Sequence, residues 1–134
     1  MSRAFVFPGQ GAQTIGMGRA LAEAYPAARA VFDEVDEALG EKLSSLIWEG
    51  SIEALTLTQN AQPALMATSI AALRALASEG IGVESAAFVA GHSLGEYSAL
   101  CAVGALELAD TARLLRVRGQ AMHCLLYTSD AADE

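Results

Sequence analysis

Positive charge is scarce in this sequence: eight Lys and Arg residues stand against sixteen Asp and Glu, for a formal net charge of −8. A protein that grips nucleic acid through its phosphates needs a basic stripe. The nearest approach to one, Arg113, Arg116 and Arg118, is set among leucines and a valine. The same shortage argues against a polybasic membrane-binding face. Cysteine is scarce too. Cys101 and Cys124 lack CxxC spacing, so neither a metal nor a redox motif is indicated, and a reducing, cytoplasmic location is expected. No window approaches the ~20 apolar residues of a transmembrane helix. The apolar run at the N-terminus breaks at Pro8-Gly9, short of the roughly 7–15-residue core of a signal peptide. Repeats and low-complexity linkers are absent.

What is present is apolar material. The 134 residues are 53% hydrophobic with a mean hydropathy of +0.34, which suits one domain. A chain of this size buries roughly two-thirds of its unfolded surface. Ala4 to Phe7 reads as a buried strand entering a turn, followed by a glycine-crowded loop that contains Gln10 and Gln13. Helical patterning follows over Ala20 to Tyr25 and over Ala28 to Leu39, where Val31, Val35 and Leu39 share one face. Leu43 to Trp48 and Ile52 to Leu57 read as shorter helical turns. Pro63 to Glu79 reads as the strongest helix, with Pro63 in its first turn and Gly80 at its stop. Ala86 to Ala90 reads as a second buried strand, and helices are expected from Ser93 through Ala102 and from Leu106 to about Met122. Strands alternating with helices imply an α/β fold: a parallel sheet with flanking helices.

Chemistry enters at Gly91-His92-Ser93-Leu94-Gly95, a Gly-x-Ser-x-Gly sequence with a strand before it and a helix after. That is the setting of a nucleophile elbow, in which a sharp turn forces the serine outward. The amides at the helix start, beginning with Leu94, are free to face a developing oxyanion. The pattern alone leaves open a glycine-rich turn with a structural serine. His92 adjoins the serine, and adjacent elbow side chains generally diverge, which reads as a packing or loop-bonding histidine. Glu96 suits the first helical turn electrostatically. Cys101, Met17, Met66 and Met122 read as core. Helix spacing does not rank Arg113, Arg116 and Arg118, each of which could be a solvated face.

Gly91 to Ala99 resembles the active-site segment of malonyl-CoA:acyl carrier protein transacylases. Phe7 to Gln13 is similar to that family's opening loop, Thr58 through Gln62-Pro63-Ala64 to a third segment, and Arg118-Gly119 with Met122 to a fourth. The resemblance implies an acyltransferase core with an α/β-hydrolase-like nucleophile elbow and transfer of malonyl from malonyl-CoA to acyl carrier protein through a malonyl ester on Ser93. It implies an oxyanion hole from the amides of Gln10 and Leu94, and Arg118 on the malonyl carboxylate. Gln62 would line the same pocket, and His92 would fall among the substrate-binding residues. Guanidinium pairs with carboxylate bidentately, which makes chemical sense of Arg118. No metal or redox cofactor is implied, malonyl-CoA being substrate. The partners implied are malonyl-CoA and acyl carrier protein, with neither nucleic acid nor membrane, and the full-length form is expected to be a monomer.

The resemblance also implies pieces that this chain does not carry: the general-base histidine, a ferredoxin-like subdomain and the later strands. His123 lies too near Arg118 on the same expected helix to serve as that base. Residues 1–122 are expected to be the N-terminal part of the core and 123–134 an unrelated tail. Alternatives are a serine esterase of the α/β-hydrolase type, an inactive interaction fragment, and an acyltransferase domain of a polyketide synthase. A sheet short of strands exposes an apolar edge, so the isolated chain is expected to be poorly stable. A sharp cooperative melt from a monomeric sample would contradict that.

Overall fold

The computed structural model describes residues 2–133, with side chains through Leu125. Strand β1 (Ala4–Phe7) and strand β2 (Phe88–Gly91) form a two-stranded parallel sheet. Ala4 pairs with Phe88 and Phe7 with Gly91. Between them run helices α1 (Arg19–Ala24), α2 (Pro26–Leu39), α3 (Leu43–Glu49), α4 (Ile52–Thr56) and α5 (Thr58–Ser78), then a single 3-10 turn at Val83–Ser85. Helices α6 (Gly95–Ala102) and α7 (Leu108–Asp133) follow β2. The α/β expectation therefore holds. Helix α7 runs on past Met122 without a break in the backbone. The reading of 123–134 as an unrelated tail concerns side chains that lie, from residue 126 on, outside the described residues.

The apolar periodicity of α2 does what its spacing predicts. Val31 and Val35 are buried and Leu39 is half-buried. They meet α5, whose Met66 and Ile70 are closed off from solvent, and α7 through Leu115. Each fully buried Val, Ile, Leu or Met contributes about 1.5–3 kcal/mol relative to exposure. Phe32 packs edge-on against Trp48, with ring centroids 5.0 Å apart. The Trp48 Nε1–H donates to the Met17 carbonyl, 3.1 Å away, and so ties down the glycine-rich loop.

Helix α5 departs from expectation. It begins at Thr58, not at Pro63, and Pro63 lies inside it. An interior proline has no N–H for the carbonyl four residues back and normally weakens the helix there. That carbonyl belongs to Gln59. Here it accepts from Arg116 Nη1 at 2.6 Å, and the same nitrogen donates to Asn60 Oδ1 at 2.6 Å. Arg116 thus fills the gap in the ladder from outside, while its other nitrogen pairs with Glu41. Burial pushes the Arg116 guanidinium below its ordinary pKa. Of the three arginines that spacing could not rank, Arg113 alone is a solvated-face residue, paired with Asp110.

The two strands are not buried as expected, because nothing among the described residues covers one face of the sheet. Phe7 is buried and Phe5 half-buried against the core, whereas Val6 is 73% and Phe88 65% exposed on the opposite face. Among the described residues no helix is long and apolar enough to cross a membrane.

Removing Arg116 strands the Gln59 carbonyl, which costs about 1–3 kcal/mol. Loss of exposed Glu41 costs less than about 1 kcal/mol. Native-state hydrogen exchange of the α5 amides in Arg116→Met and Glu41→Gln checks this. The reverse ordering would refute the arginine's role in the ladder.

Candidate active site

Strand β2 ends at Gly91 and α6 begins at Gly95, so three residues must reverse the chain. The reversal is tight enough to force Ser93 to φ 58°, the one non-glycine residue with positive φ among those described. A left-handed non-glycine residue costs about 1–3 kcal/mol and is found where surrounding structure over-determines it. That structure is visible. A Cβ on Gly91 would overlap the Gly95 carbonyl, and one on Gly95 would overlap the Phe7 carbonyl at the end of β1. Sheet and helix therefore approach as closely as backbone allows, and Ser93 is left exposed at the apex.

The loop after β1 lies against this turn. A Cβ on Gly9 would sit 2.8 Å from the His92 carbonyl oxygen and 3.0 Å from His92 Nδ1. Gln10 follows directly, its side chain held by donation to the Thr56 carbonyl at 3.2 Å. Among the described residues the backbone amides of Gln10 and Leu94 donate to no protein acceptor. His92 is exposed. Its amide donates to the Phe7 carbonyl and its carbonyl accepts from Gly95, which fixes the loop.

Arg118 arrives from α7. Gly119 makes this possible, because a Cβ there would lie 2.5 Å from the Gln59 Cα and 2.8 Å from the Thr58 carbonyl oxygen. With that contact open, α7 rests on the first turn of α5. Arg118 Nη1 donates to Gln62 Oε1 at 2.7 Å and Nη2 to Ser93 Oγ at 3.3 Å. Gln62 is only 1% exposed. Its Nε2 donates to Thr58 Oγ1 at 2.8 Å and to Met122 Sδ at 3.2 Å. With its donors committed, the amide can present only its oxygen to Arg118.

Among the described residues Arg118 touches neutral groups only. Arg19, Arg29, Arg113 and Arg116 each pair with a carboxylate, and Arg118 does not among the described residues. An amide oxygen, a hydroxyl and the Tyr97 ring, whose centroid is 5.5 Å from the guanidinium carbon, surround it. A half-buried guanidinium without a counter-charge is a ready site for an anion beside the serine. No imidazole or carboxylate hydrogen-bonds Ser93 Oγ among the described residues, and His123 is exposed on α7.

Residues 4–133 match the family model described as an acyl transferase domain. This chain belongs to the acyl transferase family. It is 58% identical over 120 residues to the malonyl CoA-acyl carrier protein transacylase of Bacillus subtilis, a match spanning 90% of this chain and 37% of that protein. The solved acyl-carrier-protein S-malonyltransferase from Bartonella henselae superposes with a TM-score of 0.89 at 63% identity. That superposition covers 91% of this chain and 39% of the other. A malonyl-transacylase solved in complex with its type II polyketide acyl carrier protein superposes at 0.85 with 41% identity, covering 91% of this chain and 39% of that one. The chain thus spans about two-fifths of the length of these acyl transferases.

The sequence points to Ser93, Leu94, Gln10, Gln62, Arg118 and His92. The structure brings Ser93, Arg118 and Gln62 into one hydrogen-bonded line, and sets the Gln10 loop beside the elbow. Thr58, Met122 and Tyr97 join the site only in the fold, through Gln62 and Arg118. Spacing offered a faint signal for Met122 alone, one turn beyond Arg118 on the expected helix, whereas Thr58 and Gln62 lie ahead of the helix start expected at Pro63.

Gly95→Ala places a methyl on the Phe7 carbonyl and forces the elbow open, at a cost of about 1–3 kcal/mol. Faster exchange of the amides in residues 88–98 is the expected result. Unchanged protection there would show that the close approach is not required.

Proposed function

We propose that this chain carries the nucleophile and the carboxylate anchor of a malonyl-CoA:acyl carrier protein transacylase acting in fatty acid synthesis. The observation that carries the reading is the Arg118 guanidinium, held among the described residues by neutral partners, 3.3 Å from Ser93 Oγ. A malonyl thioester has its reacting carbonyl and its carboxylate one methylene apart. A cation immediately beside the nucleophile suits that short spacing, and a neutral ester would leave it unused. The names of the relatives, and a neighbour solved with an acyl carrier protein, support the same reading.

In this mechanism Ser93 Oγ attacks the thioester carbonyl. The Oγ–C bond forms, the C–S bond to coenzyme A breaks, and the serine proton leaves to a base. The amides of Leu94 and Gln10 stabilise the tetrahedral oxyanion, each such donor being worth about 2.7–4 kcal/mol. Arg118 holds the carboxylate through a charge-assisted bond worth about 1.5–3 kcal/mol, and Gln62 keeps the guanidinium in place. The carrier protein's phosphopantetheine thiol then attacks the malonyl ester and regenerates Ser93 Oγ–H. We assign the base to a histidine outside this chain. Losing one triad member costs orders of magnitude in rate but leaves the oxyanion hole and binding in operation.

Prolonged incubation with malonyl-CoA, followed by peptide mass spectrometry, tests this directly. Slow malonylation confined to Ser93, accelerated by added imidazole and absent in Ser93→Ala, is expected. Turnover at full enzymatic rates without imidazole would contradict the missing base. Faster reaction with p-nitrophenyl acetate than with malonyl-CoA would favour an esterase.

A further inference from the structure

We propose that Tyr97 is a specificity-determining positioning residue: its ring holds the Arg118 guanidinium in register with Ser93 without neutralising it. This deepens, and rests on, the malonyl reading above. Tyr97 sits in the first turn of α6, three residues beyond the N-cap Leu94, so the helix that follows the elbow carries the ring. Its ring centroid is 5.5 Å from the Arg118 carbon, within cation–π range.

The physical problem at this site is to fix a cation and keep it available. A carboxylate partner would fix Arg118 strongly, but it would then compete with the substrate's own carboxylate. The other paired arginines of this chain are fixed in that way. Gln62 constrains only one nitrogen of the guanidinium, at Nη1. With that contact alone the group could still swing about it and carry Nη2 away from Ser93. An aromatic surface against the guanidinium removes this freedom and contributes attraction without a full opposing charge. Tyr97 is half-buried and packs against the core, and its hydroxyl makes no hydrogen bond among the described residues. The ring, not the hydroxyl, is therefore the working part.

The experiment compares malonyl-CoA and acetyl-CoA binding by titration calorimetry for this chain, Tyr97→Leu, Tyr97→Phe, and the chain carrying 3,4,5-trifluorophenylalanine at position 97. The fluorinated ring keeps its shape while its π face loses attraction for a cation. Tyr97→Leu is expected to lower the malonyl-over-acetyl preference by about three- to tenfold, and Tyr97→Phe to restore it. The fluorinated ring should lower it even if the leucine variant fails to fold. In parallel, the Arg118 Nε–H proton resonance should lose its ring-current displacement in Tyr97→Leu and keep it in Tyr97→Phe. A preference equal for the fluorinated ring and Tyr97→Phe would overturn the proposal. Absence of any malonyl preference in the unaltered chain would instead defeat the malonyl reading, and the resonance would still report whether ring and guanidinium meet.

Discussion

The contact between Arg118 and Ser93 is the constraint around which the rest of the molecule is arranged. A guanidinium on one helix must meet a hydroxyl at the apex of a turn between a strand and a different helix. Each of its coordinates is set by a separate device. The two glycines of the elbow let β1, β2 and α6 close until Ser93 is driven into the left-handed region. Gly119 lets α7 settle on α5. Gln62, oriented by Thr58 and Met122, then draws Arg118 to its place.

Arg116 and Arg118 divide the labour on one helix. Arg116 supplies the donor that Pro63 cannot, and so locks α7 onto α5 at the point where the α5 ladder is interrupted. Arg118, two residues on, meets the site. The proline in α5 is thus more than a tolerated irregularity. It creates a free carbonyl, and that carbonyl becomes the docking point of the helix that carries Arg118. Burial of Arg116 among hydrogen-bonding partners and exposure of Arg113 to solvent complete a set of three arginines with three different surroundings.

These relations divide cleanly into what residue patterns announce and what they do not. The elbow was legible because strand, Gly-x-Ser-x-Gly and helix are local features, and Val31 and Val35 announced a buried face by spacing. The start of α5 was not, because Pro63 reads locally as a helix beginning and only a distant arginine makes the extra turn possible. Tyr97 and Met122 were likewise opaque. An aromatic ring or a thioether in an apolar helix reads as core until the partner across the fold is known. The exposure of Val6 and Phe88 was not legible, since a short apolar run reads as a buried strand and a parallel sheet ordinarily has both faces covered.

The central claim is that the charge at position 118 makes the serine at position 93 selective for an acid-bearing acyl group. The most direct measurement is the ratio of Ser93 acylation rates from malonyl-CoA and acetyl-CoA, taken for this chain and for Arg118→Met. The account predicts a preference for malonyl that falls by about tenfold or more when the guanidinium is removed, through loss of the malonyl reaction with the acetyl reaction retained. An unchanged ratio, or an equal loss of both reactions, would contradict it.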